Sequence, residues 1–313
     1  MPTKIKHPLL KIAILLLLVF GIVMACKKAG KGTDVPESIL EGKATVYVDE
    51  SILPIVEDEA AVFESQYNAK LELIGKSESE IVNMILGKKA KIAILSRRLT
   101  PQESKVFEGK LNPKITEFAT DAVAFISNKA ANDTLVDLQE VMNLLQGKSS
   151  KIKGLVFDNP NSGTVRYMDS VAGSKIIGMK NIYTMKTNAA LLKYVADNPG
   201  LVGVIGINSI LQPNPEWQPS IDKINVMSVR NVKNKANDNK YYKPSQSNIA
   251  EGSYPLTRKL YLLNYQGADG LGIGFASFMA GEIGQRIILK SGLLPIRIPS
   301  RNITIRKEIL NNK

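Results

Sequence analysis

Apolar and polar positions switch between two periods along the chain. Ala44 to Val48 is a β-rich run, and beyond Ser51 the apolar residues Leu53, Val56, Ala60, Phe63 and Tyr67 recur at threes and fours, one face of a helix. Lys70 to Ile74 predicts a second strand. Ser77-Glu78-Ser79-Glu80 predicts a capping box opening a helix through Ile81 to Leu86, with Gly87 as its stop. Ile92 to Leu95 is a wholly apolar strand, and Thr100-Pro101-Gln102-Glu103 caps another helix with Pro in its first turn. Strand, helix, strand, helix, strand predicts an α/β fold with a mainly parallel sheet.

The pattern then restarts. Glu117 to Ser127 is long for a strand and is expected to run between two lobes. Thr134 to Asp137 is expected to open a helix reaching Gly147. Gly154 to Phe157 reads as a strand, Ser162-Gly163-Thr164 as a helix start, Leu191 to Ala196 as a helix and Val202 to Ile207 as a strand. Residues 213–250, rich in Asn, Pro, Lys and Ser, predict long loops with one or two strands. Leu256 to Leu263 reads as a return crossing strand, followed by helices over Gly272 to Ala280 and Glu282 to Lys290. No repeat of fixed period is present.

Ahead of this body, Lys4, Lys6 and Lys11 precede an apolar run from Ile12 to Met24, too short for a comfortable spanning helix of ~20 apolar residues. A basic start, a short apolar core and a small residue before the cut match a secretory signal, and Val23-Met24-Ala25-Cys26 resembles a bacterial lipoprotein box with Cys26 as the lipidation site. The lysine-rich stretch after Cys26 reads as a flexible tether. Cleavage removes three lysines and takes the net charge from +12 to +9. The lysines that remain are spread along the mature chain, which favours a solvated surface over nucleic-acid binding.

Composition narrows the chemistry further. The chain has one His and one Cys, and both, His7 and Cys26, fall within the leader region. A Ser–His–Asp triad, a Cys–His nucleophile, a Cys/His zinc site and a structural disulfide are excluded from the mature body. No metal or cofactor site is expected, and binding is favoured over catalysis.

The candidate chemistry sits on helix starts. Ser51, Ser77 with Ser79, and Ser162-Gly163-Thr164 each follow a predicted strand and open a helix, whose free N–H groups and positive dipole end suit an oxyanion. Ser and Thr add hydroxyl donors, and Gly163 permits close backbone approach. Each of these positions is equally an ordinary N-cap. Their convergence with the basic loop Ser96-Arg97-Arg98 is what points to a ligand, because such loops gather outside the carboxyl ends of the strands in an open α/β sheet. The Ser–Gly–Thr start lacks the Lys of a nucleotide-binding P-loop.

Taken in order, ILSRRLTPQE (94–103), TDAVAFISN (120–128), TLVDLQEVMNLLQGK (134–148), NSGTVRYM (161–168), NPGLVGVIGIN (198–208), YPLTRKLYLLN (254–264) and GQRIILKSGLLPI (284–296) resemble the phosphate-binding lipoproteins of ABC-type phosphate importers, within the type II periplasmic solute-binding proteins. The resemblance implies two α/β lobes joined by crossing strands and closing over a dehydrated anion. It implies a signal peptide over 1–25, a tether over 26–42, a first lobe over 43–121 with a return over 260–313, and a second lobe over 122–259. Carried over residue by residue, Ser51, Ser77 or Ser79, Ser96, Ser162, Gly163 and Thr164 would line the cleft.

One departure stands out. The family's phosphate binders place an Arg four residues before the Ser of Ser–Gly–Thr and an Asp after the Ser of the third loop, where this chain has Asp158 and Arg97. Either both face the ligand from exchanged lobes, or they pair with each other, or the ligand differs. The expectation is a monomeric, lipid-anchored extracytoplasmic protein that binds phosphate for an ABC permease and catalyses nothing. The alternatives are a binder or sensor of another oxyanion and a secreted phosphate-acting enzyme.

Overall fold

The computed structural model describes residues 38–231, 239–267 and 269–299. The leader, Cys26 and the greater part of the tether lie outside the described residues. Strand β1 (Gly42–Asp49) runs through a short turn, Glu50–Ile52, into helix α1 (Leu53–Gln66). Strand β2 (Ala69–Lys76), helix α2 (Glu78–Leu86) and strand β3 (Ile92–Leu95) follow, with a short helical turn at Pro101–Ser104 capped by Thr100. All four residues of β3 are buried, as a strand covered on both faces by helices must be.

Strand β4 (Lys114–Asn128) is 15 residues long and carries the chain from one half of the molecule to the other. Beyond it the expected helix at Thr134 is corrected. Leu135–Asp137 forms strand β5, and helix α3 (Leu138–Leu145) begins only at Leu138. The β-branched Val136 is held in a small parallel ladder with strand β10, whose range follows below, and this pairing overrides the local helix-start signal.

Strand β6 (Leu155–Phe157), helix α4 (Gly163–Ala172), strand β7 (Ile182–Thr184), helix α5 (Asn188–Asp197) and strand β8 (Val202–Gly206) build the second half. The stretch 213–250 contains short helical turns and two short strands, β9 (Ile224–Val226) and β10 (Ser228–Arg230). Strand β11 (Thr257–Asn264) returns, and helices α6 (Leu271–Met279) and α7 (Glu282–Lys290) precede β12 (Leu294–Pro295).

The main sheet has the order β2-β1-β3-β11-β4-β8-β6-β7. β1 is parallel to β2 and β3, and β6 is parallel to β7 and β8. Between these two parallel blocks β11 and β4 lie antiparallel to their neighbours. β4 pairs with β11 over Lys114–Ala122 and with β8 over Val123–Ser127, so one strand serves both lobes. Asp121 and Arg258 face each other in the β4–β11 register, at the crossing. α1 and α6 pack on the first block through Phe63, whose ring centroid lies 5.4 Å from those of both Phe275 and Phe278. Among the described residues no helix is long and apolar enough to cross a membrane.

Candidate functional site

The loops after β1, β3 and β6 meet the start of α4 at one point between the lobes. Ser162 is the N-cap of α4, its Oγ accepting from Val165 N at 3.2 Å, and Gly163 and Thr164 form the exposed-dipole first turn. Gly163 is required by contact, not by backbone angle. A Cβ on it would overlap Asp49 Oδ2 and lie 2.8 Å from Ser96 Oγ and 3.0 Å from Glu78 Oε2, all three belonging to the other lobe. Gly163→Ala is therefore expected to hold the lobes apart and to cost about 1–3 kcal/mol of stability; small-angle scattering and a denaturant titration would register both.

The expected residues divide into those that converge and those that do not. Ser51, Ser96, Asp158, Gly163 and Thr164 are buried around this point. Ser51 N donates to Asp49 Oδ1 at 3.0 Å, while Ser51 Oγ and Asp49 Oδ2 make no well-formed hydrogen bond although both are buried. The Ser77 hydroxyl is spent on Glu80, to which it donates at 2.7 Å, and the Ser79 side chain is exposed. Only the Ser79 backbone reaches across, its N–H donating to Asn161 O at 3.2 Å.

Arg97 and Asp158 do not pair. Arg97 forks onto Glu103, with Nη1 and Nη2 donating at 2.6 and 2.9 Å, and its Nε donates to Glu78 Oε1 at 2.7 Å. Asp158 accepts from Ser162 Oγ at 2.5 Å. Arg97 thus serves the first lobe's own carboxylates.

The cation at the base of the cleft is Arg258, from the crossing strand β11, which the sequence pattern did not single out. It is 4% exposed, its Nε donates to Asp121 Oδ2 at 2.9 Å, and its Nη1 donates to Thr164 Oγ1 at 3.4 Å. Asp49, Glu78, Asp121 and Arg166 were also missed. Glu78 is buried and shared between lobes, taking Arg97 from its own side and Arg166 Nε at 2.5 Å from α4. The two signals that were present are local. Arg258 shares its alternation parity with Leu256, Leu260 and Leu262, which puts it on the buried face of β11. Arg166 lies three residues after Gly163, on the first turns of α4.

Burial of so many carboxyls sets their proton affinity. Burial pushes Asp158 up to about 7, reinforced by the negative charge of Asp49 and opposed by the Ser162 hydroxyl and Arg258. Burial likewise raises Asp49 to about 6, with Glu78 repelling it and Arg258 holding it back. Asp121 is raised by burial in spite of Arg258. The cleft therefore holds hydroxyls, a helix N-terminus and a buried guanidinium beside carboxyls that exchange protons near neutrality. That set can hold an oxyanion that carries a proton. Among the described residues no group of His, Cys, Asp and Glu is arranged to hold a metal ion.

Comparison with known proteins bears on the fold. A structure of a substrate-binding protein from Clostridium perfringens with bound phosphate superposes with a TM-score of 0.67 at 19% identity, covering 82% of this chain and all of that one. An ABC-type phosphate transport receptor from Vibrio cholerae gives 0.59 at 19% identity over 81% of this chain and all of that one. The CcmR regulatory domain of Synechocystis, solved with 2-PG, gives 0.50 at 10% identity over 76% and 95% of the two chains. At these identities the likeness establishes architecture, shared by transport proteins and a regulatory domain. A search of curated protein sequences found no match. The family described as the PBP superfamily domain matches residues 35–282, and the chain belongs to it.

Proposed function

We propose that the mature chain, lipid-anchored through Cys26 outside the cytoplasm, is a solute-binding protein that captures inorganic phosphate between its lobes and passes it to an ABC permease. The lobes would divide within β4 and β11, near residues 121 and 260, and the protein would act as a monomer without catalysis. The observation that carries this reading is the meeting of the α4 N-terminus, Ser51, Ser96 and Thr164 with the guanidinium of Arg258 at one buried point. The phosphate bound in the Clostridium perfringens relative supports it.

The carboxyl of Asp158 would select the ligand. Ionised above pH about 7, it accepts the proton of hydrogen phosphate and repels sulfate, which has none to give. Protonated below that pH, it donates to either anion. Calorimetry at pH 6 and 8 should find phosphate bound at both and sulfate only at the lower pH. Asp158→Asn, a permanent donor, should admit sulfate at pH 8 about tenfold or more better than the wild type, since a hydrogen bond to a charged group contributes ~1.5–3 kcal/mol. Absence of phosphate binding at either pH would overturn the reading.

One observation favours a second reading. Asp49 Oδ2 lies against Gly163, so a carboxylate of the chain itself occupies the start of α4. If that contact replaces an external anion, Asp49→Asn will bind phosphate more tightly than the wild type. If Asp49 instead joins Asp158 in accepting a ligand proton, the substitution weakens binding.

A further inference from the structure

The helix starts that meet across the cleft are joined by charge as well as by backbone. Ser79 N, in the first turn of α2, donates to Asn161 O of the other lobe at 3.2 Å. Beside it the Glu78 carboxylate, 1% exposed, meets Arg166 Nε on the first turn of α4 at 2.5 Å. This ion pair between lobes lies away from the crossing strands, unlike Asp121–Arg258 and Lys259–Glu117. Glu78 is fixed from its own side. Arg97 Nε donates to its Oε1 at 2.7 Å while Glu103 holds the rest of that guanidinium, and Ser96 Oγ donates to its Oε2 at 3.4 Å. Oε2 also lies 3.0 Å from the place of a Cβ on Gly163, at the positive end of α4. Arg166 is held more loosely: its side chain is 34% exposed, and its Nε makes no well-formed hydrogen bond.

We propose that Glu78 and Arg166 form a latch that sets how long the closed cleft retains its ligand, which rests on the phosphate reading for the identity of that ligand. Both are then positioning residues that act on the lobes, and neither is a contact of the anion. A contact made only with the lobes together stabilises the closed form and contributes nothing to the open one. It slows opening and release, and it leaves capture by the open form unchanged.

The unequal construction of the pair suits this task. A buried carboxylate stripped of every partner would be costly, and that cost would keep the lobes from parting. Glu78 has two guanidinium partners, and the one on its own lobe, Arg97, stays with it when the other leaves. Its orientation is preset by Arg97 and Ser96, so the acceptor is ready for Arg166 at each closure. Arg166, a long side chain reaching solvent, touches it by charge without an aligned bond, so the contact parts and re-forms without rebuilding either lobe.

The test separates release from capture. Radiolabelled phosphate bound to the mature protein is chased with excess unlabelled phosphate, equilibrium dialysis gives the affinity, and the two together give the association rate. Arg166→Met, at a partly exposed position, should fold normally by circular dichroism and release phosphate about tenfold faster, with association unchanged. Arg166→Lys keeps the charge and should restore most of the retention. Glu78→Gln should also speed release, and combined with Arg166→Met it should add nothing further, because both remove one contact. Release at the wild-type rate in Arg166→Met overturns the latch. Slower release in Glu78→Gln overturns it as well, since the freed guanidinium would then be gripping the anion itself. If the wild type binds no phosphate, the phosphate reading falls, and small-angle scattering without ligand decides the latch. Arg166→Met must then show a larger radius of gyration than the wild type, and an equal radius overturns the proposal.

Discussion

Replacing Arg258 by Met is expected to abolish phosphate binding, with affinity falling by a hundredfold or more. The guanidinium is the buried cation at the crossing of the lobes, in contact with Thr164 and Asp121. Truncating one member of a buried, hydrogen-bonded charge pair costs roughly 2–5 kcal/mol in binding. The same substitution should destabilise the free protein by about 3–5 kcal/mol, because it leaves Asp121 as an uncompensated buried charge. These two effects separate in a double variant. Arg258→Met with Asp121→Asn removes both charges and should recover most of the stability while remaining unable to bind phosphate. Arg258→Lys, which keeps the charge but loses the planar fork, should fall between. Calorimetry and urea unfolding on the three variants give the answer, and wild-type affinity in Arg258→Met would remove Arg258 from the site.

Glu59→Gln is expected to make the protein more stable, by several kcal/mol at pH 8. Glu59 is fully buried in α1, and neither carboxyl oxygen has a hydrogen-bond partner. Burial, with a smaller contribution from Asp58, pushes it from 4.5 up to about 8. Between those two values the unfolded chain has released the proton that the folded chain still holds, so raising the pH favours unfolding. The loss accrues at up to ~1.4 kcal/mol per pH unit and is complete above pH about 8. Gln has the same shape and no proton to lose. Unfolding free energies of the two proteins should be close near pH 4.5 and diverge up to pH 8, with Gln the more stable. Curves that run parallel across this range would show that Glu59 is ionised in the folded state.

Local chemistry made much of this architecture legible. Wholly apolar Ile92–Leu95 is β3, the unusually long run around Glu117–Ser127 is the crossing strand, and Glu282–Lys290 is a helix over those same residues. Ser162 could be placed as an N-cap because a cap is decided within four residues. The site resisted the same treatment because its partners are remote. Arg97 turns toward Glu78 and Glu103, and nothing adjacent to Arg97 specifies Glu78, which lies on a different helix. Asp121 and Arg258 are 137 residues apart and meet only through the β4–β11 register. Glu78 and Glu103 illustrate a related difficulty. Glu103 completes the Thr100 capping box and Glu78 is an acidic residue in the first turn of its helix, both ordinary locally, yet Glu103 also clamps Arg97 and Glu78 links the two lobes.

The position of the Asp121–Arg258 pair has a mechanical consequence. Both residues sit on the two strands about which one lobe would swing relative to the other, so they lie close to the axis of that swing. Displacement under rotation grows with distance from the axis. The Glu78–Arg166 contact would sweep the larger arc, while the guanidinium at the fulcrum would move least. An anion arriving at the open cleft would therefore meet its main counter-charge already in its final position. The work of shutting the jaws would then go into aligning hydroxyls and helix dipole around a charge that is anchored from the start.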